Sequence, residues 1–197
     1  DLLEPAGEAQ TIRVATEAAY PPFEMVRESD KELEGFDIDL MNAIAEKANL
    51  KVEYANTPFD SVIAGISTCQ FDAAISAITI TEERKQSFDF SDPYINAGQV
   101  VVVQFSNSDV ASKDDLVGKV VGAQLGTTGE IEAKAIANTT VKPYDTVDLA
   151  FLDLLDEIRI GDRGLAGLAR AKLLEDRHEY HRDDDPDGNI FCKIVHY

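Results

Sequence analysis

The sequence predicts an α/β protein in which two successive units each build a parallel sheet with crossover helices. Within the first hundred residues, strand-like and helix-like segments alternate twice, and consecutive strands joined by helices lie parallel. A continuous apolar strand over 100–104 then ends in polar residues, and a second alternation follows from residue 119. At 197 residues the chain is long enough for two small domains with cores of their own.

The first unit opens with a strand over 11–16, in which apolar and polar residues alternate. Tyr20-Pro21-Pro22-Phe23 ends this strand in a loop, because proline cannot donate to a strand ladder. Apolar residues spaced three and four apart predict a helix after Gly35. The remaining predicted elements are strands over 51–56 and 71–78, a helix over 59–66, and a short polar helix that starts at Arg84.

The second unit repeats the alternation with little visible sequence similarity to the first. Its loop Gly126-Thr127-Thr128-Gly129-Glu130 leads directly into a helix. The predicted elements are strands over 119–123 and 141–144, loop and helix over 126–137, and a helix from 147 to about 155. Leucine and alanine spacing predicts one more helix over 166–179.

Composition narrows the classes of partner. The chain has 18 basic and 37 acidic residues, a net charge of -19, which repels phosphate backbones and anionic bilayers. We therefore expect no nucleic-acid partner, and the charge favours cationic ligands or divalent metals. No apolar run is long enough to span a membrane. Cys69 and Cys192 allow one disulfide or none and form no metal-binding pattern.

The end of the predicted strand over 71–78 carries the most informative chemistry. Ser76, Ala77 and Thr79 are small or hydroxylated, and Arg84 follows five residues after Thr79. Ligands of parallel sheets bind beyond the carboxyl ends of the strands, and a planar guanidinium suits a carboxylate. These residues predict a carboxylate receptacle, although a strand, a turn and a surface arginine would give the same local pattern.

Two stretches carry a family signature: F-D-A-A-I-S-A-I-T-I-T-E-E-R at 71–84 and F-D-F-S-D-P-Y at 88–94. From residue 12 to about residue 155 the chain resembles the extracytoplasmic (periplasmic) solute-binding proteins for polar amino acids, which serve ABC importers. The resemblance implies a two-lobed type II periplasmic binding fold that closes on a free amino acid and presents it to a membrane permease. The implied segments are a tether over 1–10, lobe 1 over 11–104, lobe 2 over 105–155 and a divergent or truncated tail over 156–197.

The same resemblance implies a monomer that works outside the cytoplasm, either in the periplasm or lipid-anchored at the cell surface. It implies no catalysis, no cofactor and no metal. The polar segment over 1–10 is typical of a processed export substrate without its signal peptide, or of a trimmed chain. Two other functions stay open: an enzyme of the same fold, such as a prephenate- or arogenate-type dehydratase, and the extracytoplasmic sensor domain of a membrane receptor.

The implied ligand contacts can be named residue by residue. Arg84 holds the ligand carboxylate, and Ser76, Ala77 and Thr79 add hydroxyl and backbone contacts. Tyr20 and Phe59 flank the ligand side chain, although both rings could instead fill the core. Because Tyr20 lies in a loop beside two prolines, we expect its ring to be exposed.

Three further contacts are implied around the rest of the ligand. Thr128, with the backbone N–H groups at the start of its helix, forms an anion site across the cleft. Glu17 and Gln124 read the distal end of the ligand. A carboxylate at Glu17 disfavours a second carboxylate on the ligand, so arginine or lysine is the first expected ligand class and glutamine the second.

The resemblance ends where the family has a strand whose last aspartate binds the ligand ammonium. Asp162 is the nearest acid, several residues early, so we expect this aspartate to be missing or replaced and amino-acid binding to be weak or absent. A frameshift, a fusion, a truncation and natural divergence all stay open, and the fold is expected to be incomplete at its C-terminus.

The tail also contains two weak metal motifs. Asp183, Asp185, Asp187 and Gly188 match part of a calcium loop that lacks its final acid, so a solvated acidic turn explains them better than a calcium site does. His178 and His181 share a helical face, a spacing that is common at protein surfaces.

Overall fold

A computed structural model describes residues 8–104, 107–161 and 171–174, and its elements largely follow the predicted order. The strands are β1 (Gln10–Thr16), β2 (Ala19–Tyr20), β3 (Glu24–Val26), β4 (Leu33–Glu34), β5 (Leu50–Asn56), β6 (Ala73–Ala74), β7 (Val101–Gln104), β8 (Val120–Gln124), β9 (Thr140–Tyr144) and β10 (Ala171–Leu174). The α-helices are α1 (Phe36–Ala48), α2 (Phe59–Ser67), α3 (Thr128–Ala135) and α4 (Val147–Gly161), with 3₁₀ helices at Arg84–Gln86 and Lys113–Leu116.

A parallel three-stranded sheet forms the centre of the first unit, with β1 between β5 and β6. Successive side chains of a strand point to opposite faces. Val14 packs with Met41 of α1, whereas the next residue, Ala15, packs with Val62 of α2. The two helices therefore cover opposite faces, and the carboxyl ends of β1 and β6 lie at the same edge of the sheet.

The strand predicted over 71–78 is much shorter in the structure, where β6 contains Ala73–Ala74. The N–H of Ile75 still donates to Ala15 O at 3.0 Å. Ala77 then has a φ of 44°, in the left-handed region that a strand does not use. Its N–H donates to Asp37 Oδ2 at 2.7 Å, so a side chain of α1 takes the place of a neighbouring strand.

The loop around Phe23 is attached to the start of α1. Gly35 precedes the helix with a φ of 129°, and no side chain caps this end. Instead, the N–H groups of Phe36 and Asp37 donate to Pro22 O and Phe23 O at 3.0 and 2.9 Å. The loop carbonyls thus satisfy donors that a helix start leaves open, and they hold the small β2–β3–β4 sheet against α1.

In the described part of the second unit, β8 and β9 pair in parallel and β7 and β10 pair antiparallel. Its core includes Val103 of β7 with Val121 of β8 and Ala133 of α3. The compact units divide between Asp92 and Pro93, so β7 belongs to the second unit, whereas the sequence placed the crossing after residue 104. The segment bounds within the second half of the chain stay predictions.

The helix predicted over 166–179 is wrong at residues 171–174, which form β10. Leu173 is opposite Val102 and Leu174 is opposite Val101, so β10 satisfies backbone donors and acceptors along an edge of β7. Leucine spacing cannot report such a distant partner. Asp162, the residues from 178 to 188 singled out above, and Cys192 lie outside the described residues; Cys69 is exposed and is not in a disulfide within the described part.

Tyr54 is expected to limit stability at alkaline pH. Its hydroxyl donates to Ile38 O at 3.2 Å and Asn42 Oδ1 at 3.0 Å, and burial, with a smaller contribution from Asp39, raises the pKa of Tyr54 from 10.0 to about 12. Between these values the unfolded chain binds fewer protons, so the free energy of unfolding should fall. Urea unfolding from about pH 8 to pH 12 should show a smaller fall in Tyr54→Phe. An equally steep fall in Tyr54→Phe, with Tyr94→Phe as the control, would contradict this.

Candidate ligand-binding site

The loops after β1 and β6 bring buried polar residues to one edge of the first sheet. Glu17 directly follows β1, and Ser76 lies two residues after β6. The Glu17 N–H donates to Ser76 Oγ at 3.1 Å, and the Ser76 hydroxyl donates to Glu24 Oε1 at 2.9 Å. Glu17 is 6% exposed, Ser76 2% and Glu24 1%. The Glu24 carboxylate, the Ser76 hydroxyl and the Glu17 backbone N–H therefore form one enclosed polar cluster.

A second buried carboxylate contact shapes the turn after Ser76. Asp37 lies in the first turn of α1 and is 0% exposed. Its acceptance of the Ala77 N–H supports a left-handed conformation that costs a non-glycine residue free energy. The contact therefore holds the start of the segment that leads to Thr79 and Arg84.

Arg84 lies at the start of its 3₁₀ helix and is buried, as are few arginines. Its Nη1 donates to Thr79 O at 2.8 Å, and its Cζ lies 5.7 Å from the centroid of the Phe59 ring. Burial lowers the pKa of Arg84 and the Glu83 carboxylate acts in the opposite direction, yet a guanidinium stays charged in proteins. Two sequence-predicted residues, Thr79 and Phe59, therefore contact the desolvated Arg84 guanidinium.

Both aromatic residues of the predicted site are buried. Tyr20 is 8% exposed and Phe59 4%. The expectation that the Tyr20 ring is exposed is wrong, because the ring stacks on Phe23 with centroids 5.9 Å apart. Proline-rich sequence predicted the loop correctly, but it could not predict that Phe23 folds back over the ring. Alanine substitutions here would remove core packing as well as any ligand contact.

The second unit holds the remaining predicted residues. Gln124, the last residue of β8, is buried, and its Nε2 donates to Asp145 O at 3.2 Å. Thr128 is the first residue of α3, and its Oγ1 accepts from Gln99 Nε2 at 2.9 Å. Both side chains are therefore held by contacts within their own unit.

Glu130 shapes the start of α3 and was missed by sequence reasoning. Thr127 Oγ1 accepts the Glu130 N–H at 3.3 Å, and Glu130 Oε2 accepts the Gly126 N–H at 2.9 Å. Gly126 has a φ of 77°, which favours glycine at this turn. The pattern Thr-x-x-Glu, from Thr127 to Glu130, is a capping-box signal that could have predicted this arrangement.

Glu24 and Asp37 were also missed as residues of the first-unit site. A signal for Asp37 exists, since acidic residues favour the first turn of a helix. Glu24 follows Phe23 in a short strand, where nothing local indicates that its carboxylate is buried. Across the described ranges, no group of acidic, histidine or cysteine side chains could hold a metal ion, and no helix is long and apolar enough to cross a membrane.

The sequence matches a known protein family and its individual members. The sequence profile of the bacterial extracellular solute-binding proteins, family 3, matches residues 12–176, which extends past the point near 155 where the motif-based resemblance ended. A probable histidine-binding protein of Neisseria gonorrhoeae is 38% identical over 153 residues, covering 76% of this chain and 56% of the relative. The chain thus spans little more than half the length of that relative.

Solved structures agree with the α/β fold class predicted from the sequence. An ancestral arginine-binding protein bound to arginine is 44% identical with a TM-score of 0.72, covering 77% of this chain and 68% of that one. An ancestral amino acid-binding protein described as a precursor of cyclohexadienyl dehydratase is 37% identical with a TM-score of 0.67, covering 83% and 69%. With most of its length matched by the family profile, the chain belongs to the bacterial extracellular solute-binding proteins, family 3.

Proposed function

We propose that the protein is the receptor component of an ABC importer, which closes its two lobes on a polar amino acid. The buried Arg84, held beside Thr79 O and the Phe59 ring, carries this proposal. A guanidinium has five donors in one plane, which match the two oxygens of a carboxylate. Forked binding of a ligand carboxylate is the role that suits a desolvated arginine at the end of a parallel sheet.

The Ser76 hydroxyl, predicted from the sequence as part of the carboxylate receptacle, suits a cationic ligand side chain better. The one proton of Ser76 is donated to Glu24, and one of its two lone pairs accepts the Glu17 N–H. Within the described residues, the Ser76 hydroxyl can therefore accept one more hydrogen bond from a ligand, but it has no proton to donate to one. With the Glu17 carboxylate proposed to read the distal end of the ligand, this site suits the donors of arginine or lysine first, and the amide of glutamine next.

The remaining residues complete the proposed ligand contacts. Tyr20 and Phe59 contact the aliphatic part of the ligand side chain, and Ala77 adds a backbone contact next to Thr79. Gln124 and Thr128 are the proposed ligand contacts of the second unit. Names of similar proteins, which bind histidine in one case and arginine in another, support a cationic amino acid.

Location and partner follow from the same proposal. The protein works as a monomer in the periplasm or anchored at the cell surface, where it presents its ligand to the membrane permease. The family consists of extracellular solute-binding proteins, which supports this location. A net charge of -19 supports attraction of cationic ligands.

A thermal-shift screen against the twenty amino acids tests the proposal. A ligand with a dissociation constant near 0.1 mM, present at about 10 mM, stabilises the fold by about 2.7 kcal/mol, so even weak binding gives a shift. We expect the largest shifts with arginine and lysine. Absence of a shift with every amino acid at this concentration would contradict the proposed function.

Affinity is expected to be weaker than micromolar for the 197-residue chain. The sequence offers no strand-terminal aspartate at the family position after residue 155, and an ammonium without a charged partner loses several kcal/mol of interaction. Titration calorimetry with arginine measures this directly. A micromolar or tighter dissociation constant would show that Asp162 or another acid supplies the contact.

Glu17→Gln should reduce the preference for cationic ligands. Removing the charge leaves a hydrogen-bonding side chain of the same size, so arginine should lose about 1–2 kcal/mol of binding while glutamine changes little. Calorimetry with both ligands gives the ratio. Equal losses for arginine and glutamine would place Glu17 outside the contact with the ligand side chain.

A dehydratase is the second candidate, because one similar structure is a precursor of cyclohexadienyl dehydratase. Such an enzyme needs a general acid above the ring of a prephenate-type substrate. Conversion of prephenate or arogenate, followed by absorbance of the aromatic product, tests it. Turnover that disappears in Arg84→Ala would favour the enzyme over the receptor.

A further inference from the structure

Glu24 is a buried carboxylate for which the proposed ligand contacts assign no role. It lies on β3 and is 1% exposed, and Oε1 accepts the Ser76 hydroxyl at 2.9 Å. Burial of an ionised carboxylate is costly unless hydrogen bonds stabilise it. Its buried position against Ser76, a predicted ligand contact, therefore needs a physical reason.

The Ser76 hydroxyl that donates to Glu24 also makes a hydrogen bond with Glu17. Ser76 Oγ, which donates to Glu24, also accepts the N–H of Glu17 at 3.1 Å. Glu24 and Ser76 are 52 residues apart in the sequence, and Ser76 and Glu17 are 59 apart. One hydroxyl thus connects β3, the loop after β1 and the loop after β6.

We propose that Glu24 is a positioning residue that sets the ligand specificity of the site through Ser76. The Glu24 carboxylate can only accept, so it orients the Ser76 proton toward itself and away from the ligand. Ser76 Oγ is then free to accept the Glu17 N–H, which fixes the backbone that carries the Glu17 carboxylate. This inference rests on the proposed function, in which Glu17 reads the distal end of the ligand.

The consequence is a site end that offers only acceptors to the ligand. With the Ser76 proton held by Glu24, the ligand meets one hydroxyl lone pair and one carboxylate, both suited to N–H donors. Without Glu24, the Ser76 hydroxyl can rotate and donate, which suits the carbonyl oxygen of a neutral amide side chain. The discrimination between arginine and glutamine should therefore depend on Glu24, which acts through Ser76.

The test compares three substitutions by calorimetry with arginine and glutamine. Glu24→Gln keeps an oxygen that can accept from Ser76, and we expect the arginine-to-glutamine affinity ratio to stay within about threefold of the parent. Glu24→Leu removes the acceptor, and Ser76→Ala removes the connecting hydroxyl; each should lower the ratio about tenfold. Glu34→Gln, which removes an ion pair with Arg27 on the same small sheet, is the matched control and should leave the ratio unchanged.

A second readout follows the Glu17 amide by hydrogen exchange and NMR. In Ser76→Ala the acceptor of that N–H is gone, so its exchange should be at least about tenfold faster while the core amides of β1 are unchanged. Because this substitution is small, it also covers the case in which Glu24→Leu does not fold.

The results separate failure of the specificity role from failure of the Ser76 contact and of the proposed function. Losses that are equal for arginine and glutamine in Glu24→Leu and Ser76→Ala would leave only a structural role and overturn the specificity role. Unchanged Glu17 protection in Ser76→Ala would overturn the connecting contact itself. A parent chain that binds no amino acid would defeat the proposed function and with it the specificity role, whereas the exchange result would still establish or reject the contact.

Discussion

Replacing Arg84 by lysine is expected to weaken amino-acid binding by about 2–3 kcal/mol while the first unit stays folded. Lysine keeps the positive charge, but its single ammonium cannot make the forked pair with a carboxylate. It also alters the cation–π contact with the Phe59 ring, where Arg84 Cζ lies 5.7 Å from the centroid. Calorimetry with arginine, at a ligand concentration suited to weak binding, measures the loss.

Lys85 offers a matched control in the same 3₁₀ helix. Its side chain is exposed and pairs with Glu82 at 2.6 Å. Lys85→Ala therefore removes a positive charge next to Arg84 and leaves the contacts of Arg84 with Thr79 O and the Phe59 ring in place. We expect at most a few tenths of a kcal/mol from an exposed pair of this kind. If Arg84→Ala binds ligand as tightly as Lys85→Ala, Arg84 is not the carboxylate anchor.

Gly35→Ala should reduce the free energy of unfolding by about 3 kcal/mol or more. Gly35 has a φ of 129°, which a side chain strongly disfavours, and an added Cβ would lie 2.2 Å from Phe23 O. The obstructing atom is backbone, and it also accepts the Asp37 N–H, so it cannot move without disturbing the start of α1. Urea unfolding followed by circular dichroism gives the change.

Gly98→Ala is the control for this prediction, because no atom lies within 4 Å of its added Cβ. A change within about 0.5 kcal/mol is expected there. Similar losses at Gly35 and Gly98 would show that the contact with Phe23 O is relieved at little cost. Since Glu24 follows Phe23, Gly35→Ala should also weaken ligand binding through the displaced loop.

Much of the architecture could be predicted from local pattern alone. The apolar residues of β1, α1 and α2 are those whose side chains face a core. Their spacing in the sequence therefore indicates the type of element. The motifs over 71–84 and 88–94 likewise indicated a family of extracytoplasmic solute-binding proteins. The family match over 12–176 confirms that resemblance.

Other features depended on partners far away in the chain. The strand over 71–78 stops at Ala74 because the Ala77 N–H turns to Asp37, 40 residues earlier, and a helical leucine pattern becomes β10 because β7 offers an edge. Tyr20 is buried because Phe23 stacks on it. Local propensity contributes a few tenths of a kcal/mol per residue, which tertiary contacts of this kind override.

The sequence by itself determined the order of the main strands and helices as far as α4, the acidic character of the chain and the residue types at the ends of β1 and β6. Only the tertiary structure decided which of those residues act together: Glu24 with Ser76 and Glu17, Asp37 with Ala77, and Arg84 with the Phe59 ring. The physical reason is that a hydrogen bond to a buried carboxylate depends on distance and desolvation. Both are set by the packing of segments that lie dozens of residues apart in the chain.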